Sequence, residues 1–161
     1  MTTDSEIEQK FWKALKSDRT FMIGLSEADG GLGQPMTAQI EQEARGPIYI
    51  FTSKQTDLVR QMKGRDRAVA HFVSKGHDVF ANLNGNLTVD SDPATIERLW
   101  NPFVAAWYKD GKTDPLLQLL RYDADEAQIW LNENSIFAGI RMLLGSDPKK
   151  DYADKTAQIQ L

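Results

Sequence analysis

The sequence predicts a mainly β protein of the α+β class: a mostly antiparallel sheet of six or seven strands that curls on itself, flanked by helices. Three observations carry this. Short segments of strand character outnumber amphipathic helical ones. Most connections between them are too short for the crossovers that parallel strands need. The longest strand segment holds Gly85 in its middle, which marks a bend or bulge. A single domain is expected over residues 1–161: a helix at 5–17, the sheet with inserted helices at 20–131, a helix at 135–145 and a loosely held tail at 147–161.

Each element has a local reason. Thr3 with Glu6, and Ser5 with Glu8, fit a capping box at the start of the first helix. Ile7, Phe11 and Leu15 recur every four residues and Trp12 widens their stripe, so this helix lies on a core or a partner. Residues 20–25 read as the first strand, and glycine-rich turn chemistry fills 27–33. The second strand covers 34–40 with Pro35 near its start, and the third covers 48–52. A short helix capped by Thr56 runs to Lys63, residues 67–73 return to strand, and Lys75 to His77 turn.

Val79, Ala81, Leu83, Gly85, Leu87 and Val89 then alternate against Phe80, Asn82, Asn84, Asn86 and Thr88. At ~11 residues this strand exceeds the usual length. Asp92 caps the next helix, with Pro93 at its first position. Ile96, Leu99, Trp100, Phe103, Val104 and Trp107 form its apolar stripe, and Pro102 kinks or divides it. Residues 117–122 and 127–131 read as a closing pair of strands around a solvated turn containing Asp123, Asp125 and Glu126. Ser135 caps a last helix with Ile136, Ile140, Leu143 and Leu144 inward.

Composition excludes several function classes. The 161 residues carry 19 Lys+Arg against 23 Asp+Glu and no cysteine. Disulfides, thiolate metal sites and cysteine nucleophiles are therefore ruled out. Net acidity argues against sequence-independent nucleic-acid binding, which needs clustered cations. The polar segment from Met1 to Glu6 is unlike a signal peptide, and no apolar run approaches the ~18 residues of a membrane span. The expectation is a soluble, cytoplasmic protein without a membrane or nucleic-acid partner.

Catalytic motifs are sparse. The only histidines are His71, which reads as a packed structural residue in mid-strand, and His77, in an exposed turn. They support neither a nucleophilic triad nor a metal site, and no metal is expected. Gly30, Gly31 and Gly33 sit between strands and read as a hairpin turn, not a dinucleotide loop. Four tryptophans remain, read first as packing residues and second as flat walls for a planar ligand.

A group of short motifs gives the second reading weight. They are Pro35-Met36-Thr37, Phe51-Thr52-Ser53, Leu99-Trp100-Asn101-Pro102, Ala106-Trp107-Tyr108 followed by Gly111, Asp114 and Pro115, and Ile129-Trp130. In order and spacing the chain resembles the general stress protein 26 branch of the pyridoxamine 5′-phosphate oxidase-like, FMN-binding split-barrel proteins, over roughly residues 5–145. The resemblance implies a six-stranded antiparallel split β-barrel that works as a homodimer, with FMN in a groove between subunits. It implies that Met36 and Thr37 meet the flavin ring, with Gln34 standing where the family has arginine. Phe51, Thr52 and Ser53 end the next flavin strand. Thr56, Asp57 and Leu58 stand where oxidase relatives carry a Ser-Arg-Lys phosphate grip.

That departure leaves three candidate partners for a phosphate: Lys54, Lys75 from the facing subunit, and the N–H groups of the helix after Thr56. Trp107 or Trp130 of a partner chain would wall the ring. The asparagine face of the long strand (Asn82, Asn84 and Asn86) reads either as a solvated edge or as a two-fold interface with amide hydrogen bonds, and the resemblance implies a dimer. No catalytic residue is implied. Two functional readings stay open: an FMN-binding general stress protein with an oxidoreductase role toward an unknown substrate, or a non-enzymatic split-barrel module that lost its phosphate grip and binds another planar ligand or none. A purely structural role for the dimer stays open beside them.

Overall fold

A computed structural model describes residues 2–27, 32–132 and 155–161. The first helix, α1 (Asp4–Asp18), starts with the Thr3–Glu6 capping box and buries Ile7, Phe11, Trp12 and Leu15. These side chains enter the core against the sheet, with Phe11 edge-on to Phe72. Seven strands follow: β1 (Thr20–Leu25), β2 (Gln34–Thr37), β3 (Ile48–Ser53), β4 (Arg65–Val73), β5 (Val79–Asp90), β6 (Leu117–Leu131) and β7 (Thr156–Gln160). The helix α2 (Asp57–Gln61) follows β3, and α3 (Pro93–Leu99) and α4 (Pro102–Ala105) follow β5. None of the described helices is long and apolar enough to cross a membrane.

The strands run in the order β2-β1-β4-β5-β6-β3, every neighbour antiparallel, with β7 added beside β6. The ends of this six-strand path, β2 and β3, face each other without a ladder. A single bridge links them, Gln39 to Tyr49, through two backbone bonds of 2.7 and 2.9 Å. The sheet therefore curls almost to closure and stays split along one seam. Its inner face holds Ile23, Ile48, Ile50, Phe72, Leu83, Leu87, Leu120 and Tyr122. The Tyr122 hydroxyl reaches across β5 and donates to the Ala68 carbonyl at 2.9 Å.

The curl has a physical cause at Gly85. The β5–β6 register shifts there, so that Asn84 faces Glu126, Gly85 faces Ala124, and Asp125 is the extra residue of a bulge. A Cβ on Gly85 would lie 2.2 Å from the Asp123 carbonyl oxygen and 2.6 Å from Ala124 Cα. Only glycine permits so close an approach of two backbones. The bulged Asp125 turns its carboxylate to Arg67 on β4, with bidentate contacts of 2.5 and 3.1 Å. The hydrogen bonds from Arg67 hold the Asp125 carboxyl below its usual pKa.

Four sequence expectations change. The strands expected at 117–122 and 127–131 are one continuous strand of 15 residues, not a hairpin. The acidic cluster between them is no turn: Asp123 pairs with Arg121 and Asp125 with Arg67, so strand geometry carries these charges. The described end of the expected loose tail, from residue 155, is the edge strand β7. His71 is exposed on the outer sheet face, its Nδ1 2.6 Å from Asn82 Oδ1, instead of packed inside. The helix expected at 135–145 lies outside the described residues.

The expected break at Pro102 is present. The α3 helix ends at Leu99, and the Asn101 side chain accepts the N–H groups of Phe103 and Val104, each at 3.0 Å, to start α4. Gly85→Ala should be among the most damaging single-methyl additions in the chain, costing about 3 kcal/mol through backbone displacement. Equilibrium urea unfolding against the parent protein measures it, and an unchanged midpoint contradicts the bulge geometry.

Candidate functional site

The seam between β2 and β3 opens into a cleft of about 390 Å³. This lies within the range of small-molecule sites, roughly 300–1,000 Å³. One wall is β2 with Gln39, a second is the end of β3 with Thr56, and the third is α4 with the turn after it. Strand edges without a ladder partner leave backbone donors and acceptors facing the gap. The cleft is thus a direct product of the split.

The third wall is held on β3 by aromatic contacts and one hydrogen bond. Trp100 meets Phe51 edge-on at 5.8 Å, and Tyr108 lies 6.1 Å from Trp100. The Tyr108 hydroxyl donates to the Thr52 carbonyl at 2.8 Å. Burial, with the nearby Asp114 carboxylate adding to it, pushes the Tyr108 phenol up to about 12. Outside the wall, Arg98 grips Glu41 through two bonds of 2.8 and 3.0 Å, tying α3 to the loop after β2. Asn101 adds a bond to Gln39 at 3.4 Å.

Two aromatics stand out at the lip. Phe103 is 81 % exposed and Trp107 is 84 % exposed, yet both line the cleft. Both were expected on the buried helical stripe. The interruption at Trp100 and Asn101 resets the helical phase, so residues after Pro102 leave the stripe of α3.

Of the residues predicted from sequence, Gln34, Met36, Thr37, Phe51, Thr52, Ser53, Thr56 and Trp107 come together in this cleft. The other three do not line it. Lys54 is exposed just beyond Ser53, its backbone N–H spent on the Leu116 carbonyl. Lys75 lines a separate hollow with Lys10, Lys13 and Lys155, between α1 and the β4–β5 turn. Trp130 lies on β6 opposite Phe80. Asp57 is exposed outside the lining, and Leu58, 2 % exposed, belongs to the core. The predicted site residues left out Pro35, Gln39, Phe103, Val104 and Tyr108, which also line the cleft. Tyr108 carried a signal, since it stands inside the Ala106-Trp107-Tyr108 motif.

No lining residue carries a formal charge. The wall offers hydroxyls, two amides, a thioether and four aromatic rings. Among the described residues no group of His, Cys, Asp or Glu could hold a metal ion. Such a lining suits a flat, weakly charged ring system and offers no nucleophile with its base.

Comparison with known proteins agrees with this architecture. The family model described as pyridoxamine 5′-phosphate oxidase like matches residues 6–152. The chain belongs to this family. A protein assigned to the general stress family in Xanthomonas campestris pv. campestris shares 55 % identity, with 84 % of this chain and 94 % of that chain covered and a TM-score of 0.78. The general stress FMN/FAD binding protein of the phytopathogen Xanthomonas citri shares 57 % identity, with coverage of 82 % and 93 % and a TM-score of 0.78. A Clostridium acetobutylicum protein related to general stress protein 26 of B. subtilis shares the fold at 16 % identity, covering 99 % and 97 % with a TM-score of 0.72. No curated protein matches the chain.

Tyr108→Phe should leave the Thr52 carbonyl without this donor and cost about 1 kcal/mol of stability. A phenol whose folded pKa is raised stabilises fully below its unfolded pKa, ~10. That contribution is lost as pH rises through about 12. Tyr108→Phe should therefore lose less stability than the parent as pH rises from ~10 to about 12, as unfolding midpoints measured across alkaline pH will show.

Proposed function

We propose that this family member is a cytoplasmic flavin-binding general stress protein, working as a homodimer, that takes FMN into the cleft between β2, β3 and α4. The observation that carries the reading is the cleft itself: eight motif residues distant in sequence meet around one uncharged, aromatic-lipped gap. The Xanthomonas citri relative, at 57 % identity, is an FMN/FAD binding protein, which supports the same ligand class.

The residues present fit the ring half of FMN. Aromatic faces at Phe103, Trp107 and Phe51 would flank an isoalloxazine, and the hydroxyls and amides of Thr37, Thr52, Gln34 and Gln39 would meet its polar edges. A bound flavin would supply the electron-transfer chemistry. The chain's part is to orient the ring, through a third wall fixed by Trp100 and Tyr108, and to shield one face from water. An oxidoreductase role toward an unknown substrate follows from this reading.

A second reading has its own support. The lining holds no cation, Asp57 presents a carboxylate next to it in sequence, and Leu58 is buried. This favours a non-enzymatic module whose cleft takes a planar ligand without a phosphate grip.

The outer face of β4, β5 and β6 supports the homodimer. Phe80 and Trp130 pair on it beside exposed Val73. His71, Asn82 and Gln128 form an adjacent polar row. Amides donate and accept, so such a row is self-complementary across a two-fold axis. An obligate interface there would bury above ~2,000 Å².

Titration of FMN fluorescence should show quenching at micromolar protein. Trp107→Ala should weaken it about three- to tenfold, the worth of one aromatic contact. Its melting point should stay at the parent value, because Trp107 is exposed. Protein that neither quenches FMN nor purifies with a visible absorbance contradicts the flavin reading. Light scattering should return twice 18.2 kDa, and a monomer mass at working concentration contradicts the dimer.

A further inference from the structure

We infer that Arg98 is a positioning residue for the cleft: through its pair with Glu41 it clamps the first wall to the third and sets how long a bound flavin stays. The inference rests on the flavin reading above. Arg98 itself does not line the cleft. Its action comes from the way the three walls are joined.

The joints are unequal. The second and third walls are held together by Trp100 against Phe51 and by the Tyr108 hydroxyl on the Thr52 carbonyl. The first and second meet through backbone, at the bridge from Gln39 to Tyr49. Between the first and third, the amide of Asn101 reaches Gln39 Oε1 at 3.4 Å and is shared with the Leu99 carbonyl at 3.3 Å. The tie from Arg98 to Glu41 is closer and two-pronged, at 2.8 and 3.0 Å. A guanidinium fork on a carboxylate fixes a distance and an angle together.

Both ends of this tie act on lining residues. Glu41 lies two residues after Gln39. Arg98 lies three before Asn101, whose Oδ1 starts α4 by accepting the N–H groups of Phe103 and Val104. Gln39, Phe103 and Val104 all line the cleft. Residues 41–46 are a run of bends without helix or strand, so side chains set their place. Lys16 reaches the Glu41 carbonyl at 3.2 Å, which holds the backbone and leaves the carboxylate to Arg98. Further along the same loop, Arg45 grips Glu8 at 2.6 and 2.9 Å and anchors that end to α1 instead of α3.

The Arg98–Glu41 pair is placed to steer and too exposed to hold the fold. Its side chains keep 48 % and 40 % of their surface open to water. Exposed pairs add little to stability and are screened by salt. Affinity differences between variants of one site fall mostly on the dissociation rate.

Stopped-flow displacement of FMN from the full chain measures that rate. Arg98→Gln should raise it about three- to fivefold. Its melting point without flavin should stay within about 3 °C of the parent. Glu41→Gln removes the same tie from the other end and should match it. Arg98→Lys keeps the charge without the fork and should recover part of the loss. Exchanging the two charges, Glu41→Arg with Arg98→Glu, should return the rate toward the parent value. At ~500 mM NaCl the gap between parent and Arg98→Gln should close. Arg45→Gln is the control: it strips the partner from the buried Glu8, so it should lower the melting point more than Arg98→Gln and leave the rate unchanged.

Parent-like rates in Arg98→Gln and Glu41→Gln, a gap that persists at high salt, or an Arg45→Gln rate raised as much as that of Arg98→Gln overturns the inference while flavin binding stands. Failure of the parent protein to bind FMN at ~100 µM overturns the flavin reading itself, and the inference with it.

Discussion

The architecture depends on one close approach, that of β5 to β6 at Gly85. With no side chain there, the Asp123 carbonyl and Ala124 move in, an extra residue is accommodated at Asp125, and the paired strands bend. Bending is what carries the path from β2 around to β3 without opening the core. Were this pair of strands straight, β2 and β3 would lie far apart and no seam would exist between them. The cleft is therefore a remote consequence of a missing methyl group. The same crease is secured electrically and at the chain's last described residue: Arg67 holds the Asp125 carboxylate, and Leu161 donates its N–H to the Asp125 carbonyl at 2.8 Å.

Around the seam, rigidity is distributed unevenly. The wall built by Trp100 and Tyr108 is anchored to β3 by ring contacts and a hydrogen bond to backbone, and its helices are capped by Asp92 and Asn101. The lip beyond it is bare. Phe103 and Trp107 project from the short helix and its turn with little protein against them. Fixed walls with exposed aromatic edges suit a ligand that enters sideways and completes the packing itself. The neutral lining favours a flat, weakly charged ligand.

Much of this was legible in the chain. The strict alternation from Val79 to Val89 announced a strand with one buried face, and Gly85 in its middle announced the crease. The Thr3 capping box and the four-residue spacing of Ile7, Phe11 and Leu15 were unambiguous. Two cleft walls were legible too, because Pro35-Met36-Thr37 and Phe51-Thr52-Ser53 are each contiguous on one strand, whereas of the third wall only Trp107 was read as a site residue. Other features depended on partners far away in sequence. Asp123, Asp125 and Glu126 look like a solvated turn until Arg67, on β4, is placed beside Asp125. The strand β7 has only Ala157 and Ile159 to bury, too weak a pattern without β6 to receive it. Phe103 and Trp107 fit a helical stripe arithmetically, and the phase reset at Pro102 has to be seen in space. His71 reads as core from its neighbours Ala70 and Phe72, but alternation sends it to the opposite face.

The uneven burial of the tryptophans gives the protein a built-in optical probe. Trp12 is sealed at 2 % exposure against the sheet, whereas Trp107 is 84 % exposed at the cleft. A collisional quencher dissolved in water reaches the second indole and is shut out from the first. With Trp100 and Trp130 intermediate in exposure, the emission most readily removed by an ionic quencher is that of Trp107 at the mouth of the cleft, and the best-shielded emission is that of Trp12 in the interior. Occupancy and integrity can be followed separately in one cuvette, without attaching a dye.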